Sequence, residues 1–181
     1  MPFGRNKKEH YDMNRTQRLS QRVIEYYADN APVASQIMHT QSVAHFARLI
    51  AEAEGLDNKT CEMMEEAAWL HDIGCPPARQ KYGDSKPPHQ ECEGKRMVHE
   101  WLDNDPDFTT EETSWLADAV GGHHRVTEAH RLHFEPLFEA DLIVNLFEGY
   151  YKPDMAQHFV NSGAVSTSTG LALFKKLFGA K

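Results

Sequence analysis

The chain is poor in cysteine. Cys61, Cys75 and Cys92 are an odd number in 181 residues and show no CxxC spacing. A disulfide framework and a zinc ribbon are therefore not expected, and a reducing, cytoplasmic setting suits the chain. No stretch approaches the roughly 18 apolar residues of a membrane span. The first residues, Met1 to Lys8, carry basic side chains with no apolar run behind them, so they do not read as a secretory leader. Positive charge is also short: the net charge of −8 argues against a nucleic-acid partner, whose binding needs cations facing phosphates. It leaves room for a phosphorylated small molecule, because a bound metal ion reverses the field locally. Neither alternating β-branched runs nor an Asn-Gly hairpin signal occurs, so a sheet is not expected.

What remains is a globular composition, 40% hydrophobic and 25% charged, with 11 histidines. Its length suits one domain, read here as residues 13–181 behind a loose tail over residues 1–12. Helical patterns fill the domain, and the expected fold is an all-α, single-domain helical bundle. A first helix is expected over residues 14–27. Pro32 is placed to open a second, which runs to residue 54 before Gly55. A third covers residues 57–72. Gly74 and Pro76-Pro77 stop it, and residues 73–88 read as a loop. Further helices are expected over residues 90–102, from the Thr109/Glu112 capping pattern to His124, over 135–150 and over 171–178. Residues 127–134 read as irregular, and the last, basic amphipathic helix as docking on the domain or on a second copy in a homodimer rather than on a membrane.

Polar residues fall where the core should be. Residues spaced by three or four share a helix face. His39 lines up with Val43, Phe46 and Ile50; His71 with Met64 and Ala67 or Ala68; His123 with Leu116 and Val120; and Asp141 with Leu137 and Val144. A single His on an apolar stripe is ordinarily a hydrogen-bonded core residue. An ionised carboxylate such as Asp141 is almost never buried unpaired. One shared cation accounts for all of them together, and imidazole and carboxylate suit Mn, Fe, Co, Ni or Zn. His71 and Asp72 are neighbours, about 100° apart on a helix, but at a helix end both can turn toward one ion.

These residues carry a resemblance. His39 on one helix, the dyad in Leu70-His71-Asp72-Ile73-Gly74 ending a later one, and the distant Asp141 resemble the HDIG type of the HD-domain superfamily of metal-dependent phosphohydrolases, over residues 33–150. The resemblance implies an HD-type helical fold and four metal ligands, His39, His71, Asp72 and Asp141. It also implies hydrolysis of a phosphate ester of a small metabolite, a nucleotide foremost. The ion would lower the pKa of water from about 15.7 toward about 7, with Asp72 binding metal and orienting or deprotonating that water. A binuclear subgroup, which includes dinucleotide polyphosphate hydrolases and iron oxygenases, uses further histidines. Here His123, His124 and optionally His89 are the candidates for a second metal or for substrate. A non-catalytic metal- or nucleotide-binding module is the remaining alternative. Arg79, Lys81 and Arg125, with Lys86 beside them, are candidate phosphate contacts. Trp69 stands near enough to the dyad to line a base pocket. Cys75 follows the dyad but has no identifiable base. The other histidines, among them His99, His130, His133 and His158, read as solvated or structural.

Overall fold

A computed structural model describes residues 13–30 and 33–181. The tail over residues 1–12 and Pro32 lie outside the described residues. Ten helices and no strand occur among those described. They are α1 Arg15–Ala28, α2 Val33–Ala53, α3 Asn58–Leu70, α4 Cys75–Tyr82, α5 Pro87–Leu102, α6 Thr110–Val120, α7 Val126–Leu132, α8 Glu135–Phe147, α9 Met155–Asn161 and α10 Ser168–Phe178.

Local chemistry sets most of the starts. Asn14 and Gln17 form a reciprocal capping box on α1, and Thr109 and Glu112 form another on α6. Asp57 caps α3 and Thr167 caps α10 through their side-chain oxygens. Gly55, in the left-handed region at φ 77°, turns the chain out of α2.

Four expectations are corrected. Residues 73–88 are not a loop: α4 occupies half of them, with Pro76 and Pro77 in its first turn. There the missing N–H groups would have had no intrahelical partner anyway, so proline starts this helix as well as stopping α3. For the same reason α5 begins at Pro87, ahead of the expected residue 90. The stretch 127–134 is not irregular but mostly α7, and α9 is an additional short helix. Finally, α6 ends at Val120 instead of reaching His124, because Gly121 and Gly122 follow. His123 and His124 therefore sit in a turn.

Helix α2 packs against both α3 and α8, and this trio is the centre of the molecule. α1 covers α3, α5 lies between α4 and α6, and α7 bridges α6 and α8. The buried apolar side chains form one contiguous cluster, with Tyr27, Ile50, Met64, Leu116, Phe134 and Ile143 deep within it. The α4–α5 crossing is unusually close. A Cβ on Gly74 would overlap the Gln90 carbonyl and the Gly94 backbone, and one on Gly94 would press on Val120. This approach fixes Cys75 and Gln90 beside the dyad.

Two buried or partly buried carboxylates fasten α10. Glu139, fully buried on α8, accepts hydrogen bonds from the backbone N–H groups of Ser166 (2.7 Å) and Thr167 (2.9 Å). Glu54 accepts one from the Thr169 N–H at 2.6 Å. α10 accordingly docks on α8, α9 and α2 of its own chain. Among the described residues no helix is long and apolar enough to cross a membrane.

Candidate metal centre

The central helix trio brings four side chains to one point. His39 projects from α2, Asp141 from α8, and His71 and Asp72 from the turn that ends α3. His39 Nε2 lies 3.1 Å from His71 Nε2, 3.3 Å from Asp141 Oδ1 and 3.7 Å from Asp72 Oδ2. His71 Nε2 is 3.7 Å from both Asp72 Oδ2 and Asp141 Oδ1. His39, His71 and Asp141 are buried, at 8%, 1% and 5% exposure, so water cannot carry their charge and polarity.

The groups behind the cluster fix which atoms face inward. His71 Nδ1 donates to the Ala68 carbonyl at 2.6 Å, and His123 Nδ1 to the Val120 carbonyl at 2.8 Å. A carbonyl only accepts, so each Nδ1 must carry a proton, and in the neutral ring Nε2 is then the lone-pair atom. His39 Nδ1 likewise faces Glu148 Oε2 at 2.9 Å. Three imidazole Nε2 atoms and two carboxylates thus converge, an arrangement that could hold a metal ion, with outer partners behind it. His123 Nε2 sharpens the point: it is buried and has no hydrogen-bond partner among the described residues. A buried acceptor left unpaired is costly, and a divalent cation would satisfy it.

The electrostatics also call for positive charge. Burial would pull the His39 imidazole down, yet its hydrogen bond to Asp141 and the Asp72, Asp141 and Glu148 carboxylates push it up to about 9. Burial would raise Asp72, but His71, His39 and His123 hold it well below the usual carboxylate range. Asp141 is lowered too, since His39 and His71 outweigh its burial. His123 sits at about 3, held down by burial and then by His124 and His71.

A second group adjoins the first. Glu91, His123 and His124 are close enough together to hold an ion, as are His39, His71 and Asp72. His124 Nδ1 is 3.4 Å from Glu91 Oε1, without a formed hydrogen bond. Asp72 faces both groups, with Oδ2 toward His39 and His71 and Oδ1 3.8 Å from His123 Nε2.

Glu91, not His89, is the α5 residue in this second group. His89 Nδ1 pairs with Asp84 at 2.6 Å and its ring stacks on Tyr82, so the structure does not bring it to the centre. Other supports had no motif. Gln36 donates to Asp72 Oδ2 at 3.0 Å and Asn145 to Asp141 Oδ1 at 2.8 Å. Their only signal in the sequence is helical spacing, since Gln36 lies one turn before His39, and Asn145 and Glu148 one and two turns after Asp141.

The centre opens into a cleft of about 250 Å³, walled by Gln36, Arg79, Gln90, Asn145 and Tyr151 among others. Of the candidate phosphate contacts, Arg79 lines this cleft. Lys81 is turned to Glu93 at 2.7 Å, Lys86 pairs with Asp84 at 3.3 Å, and Arg125 pairs with Glu91 at 3.3 Å without lining the cleft. Trp69 does not reach it either and lines a separate hollow with Asn14, Thr16 and Arg48. Cys75 does line the cleft, with its thiol held by Gln90 (2.9 Å) and Asp72 (3.4 Å); burial, then the Asp72 charge, push its pKa up and disfavour the thiolate.

There is no significant match to the chain among curated proteins or among solved structures. The family model for the HD domain matches residues 37–153, which span every residue of both ligand groups. Metal-dependent phosphohydrolysis is typical of that family, and a match over most of the chain, carrying the dyad and its partner helices, means that the protein belongs to the HD domain family.

Proposed function

We propose that the chain is a metal-dependent phosphohydrolase that cleaves a phosphate ester of a small metabolite, a nucleotide, with water as the acceptor. The observation that supports this most directly is the meeting of His39, His71, Asp72 and Asp141 at the inner end of an open cleft. A divalent ion bound there supplies Lewis-acid polarisation of a phosphoryl oxygen and acidifies water. His39, His71, Asp72 and Asp141 would hold that ion, from α2, the end of α3 and α8. Asp72, held ionised, also accepts a hydrogen bond from the attacking water and sets its direction toward phosphorus. Gln36 and Asn145 pin the two carboxylates through the oxygens they donate to. Arg79, on the cleft wall, meets the phosphoryl charge.

The test is phosphate release from a panel of nucleotides and sugar phosphates, with Mn, Fe, Co, Ni or Zn supplied in turn. Asp72→Ala and Asp141→Ala are expected to abolish turnover and to lower bound metal; turnover at the wild-type rate in either variant removes this assignment.

The pairing of Glu91 with His123 and His124, facing Asp72 from its other side, supports a second reading with two ions per chain. Elemental analysis of untagged protein decides between them. Two ions that fall to one in His123→Ala favour the binuclear reading, with dinucleotide polyphosphates and oxygen consumption tested next. One ion, unchanged in His123→Ala, favours the four-ligand site.

A further inference from the structure

A second hollow lies beside the cluster, between α7, α8 and α9, and holds about 230 Å³. That hollow and the cleft each fall below the roughly 300–1,000 Å³ of a small-molecule site, and the two together fall within it. They share three walls: His124, Asp141 and Tyr151 line both. Both spaces therefore border the cluster, at Asp141 and His124.

The two compartments differ in chemistry. Gln36, Arg79 and Asn145 make the cleft polar. The hollow is walled by Val126, Phe138, Leu142 and Phe159. Tyr151, which lines both, is edge-on to Phe159 with ring centroids 5.2 Å apart at 76°. One edge of the hollow is polar. His158 is exposed there, and the Ser162 hydroxyl donates to the Phe159 carbonyl at 3.2 Å, which leaves its oxygen able to accept. Neither Lys nor Arg lines the hollow, so it offers no partner to a second phosphate. Aromatic and aliphatic walls with one hydrogen-bonding edge fit a flat heteroaromatic ring. An alkyl chain would make no use of that edge.

We propose that this hollow is a nucleobase subsite, with the base against Phe159 and Tyr151 while the phosphate sits at the His/Asp cluster. The proposal deepens the phosphohydrolase reading and rests on it for the position of the phosphate. His158 and Ser162 then read the edge of the base, and the hollow sets which nucleotides are accepted.

Two measurements test it. Adenosine, guanosine, cytidine and uridine carry the base without a phosphate, and their binding to the protein as purified is followed by calorimetry. At least one is expected to bind saturably, and Phe159→Ala and Ser162→Trp are each expected to weaken it at least tenfold. In kinetics, kcat/KM for the matching nucleoside 5′-monophosphate, taken relative to ribose 5-phosphate, is expected to fall at least tenfold in both variants. Ser162 is exposed, so the Trp variant remains informative even if Phe159→Ala fails to fold. Absence of nucleoside binding in the wild type, or unchanged binding and selectivity in Ser162→Trp, overturns the subsite. If the wild type hydrolyses no phosphate ester while Ser162→Trp still loses nucleoside binding, the phosphohydrolase reading falls and the subsite stands.

Discussion

Behind His39 stands Glu148, partly exposed at the end of α8, with its carboxylate 2.9 Å from Nδ1. A carboxylate behind a ligating imidazole fixes its tautomer and direction, and losing one typically weakens metal binding about 10–100-fold. Glu148→Ala is expected to show a loss of that size in a Mn titration, with its helical circular dichroism unchanged. Wild-type affinity would mean that other contacts orient the ring. Glu112 acts on stability instead. It accepts from the Thr109 N–H, and it pairs with Arg15 at 2.9 Å and with Lys59. Burial would raise its pKa, but these partners, Lys59 first, lower it to about 2 from the ordinary 4.5. A depressed carboxylate stabilises the fold fully above its unfolded pKa and loses that contribution as pH falls through the folded one. Glu112→Gln keeps the cap but loses the charge. It should cost about 1–2 kcal/mol at pH 7 and progressively less between pH 4.5 and 2, as read by urea unfolding at several pH values. His39, His71 and Asp141 were legible in the sequence because imidazole and carboxylate interrupt an apolar stripe. Glu91 was not, because an acidic residue on a helix is ordinarily solvated. His89 drew attention instead, yet two residues along α5 is about 200° of rotation, and only one of the pair can face the centre.

Among the elements, the longer helices announced themselves through caps and periodicity. Asn14, Asp57 and Thr109 mark starts that the backbone adopts. Helices α4, α7 and α9 have 8, 7 and 7 residues, too few turns to establish a period. Proline added an ambiguity of its own, since the same residue that ends one helix occupies the first turn of the next. The capping box of α6 gives a direct check. Thr109→Ala should lower stability by about 1 kcal/mol in denaturant unfolding, and an unchanged midpoint would show that Glu112 holds this end alone. The packing of α5 on α6 should be far less tolerant. Gly94→Ala places a methyl against Val120 within a packed layer, and overpacking of this kind costs about 1–3 kcal/mol, read as a lower thermal midpoint.

For the molecule as a whole, the His/Asp cluster sits at the junction of the three central elements, so filling it should be felt globally. A ligand that binds only the folded state adds about 2.7 kcal/mol at one hundred times its dissociation constant. In a domain of this size that amounts to a rise of roughly 5–10 °C in Tm. Mn is expected to produce such a rise after chelation, and to produce none in Asp141→Ala. The all-α architecture was legible because no segment offers a two-residue period. The docking of α10 was only half legible. Its amphipathic face was plain, whereas its anchors, Glu54 and Glu139, lie 115 and 28 residues before the groups they bind. No local pattern links residues so far apart.

The glycine crossing bears on how this protein would look in a saturation screen. Scored on activity alone, Gly74 would rank with His39, His71, Asp72 and Asp141, because any side chain there meets the Gln90 carbonyl and the Gly94 backbone and pushes α5 away from the turn that follows the dyad. Scored on cellular abundance as well, the two groups should separate. Gly74 variants would vanish from both readouts, whereas conservative variants of the four cluster residues would persist as inactive, well-populated protein.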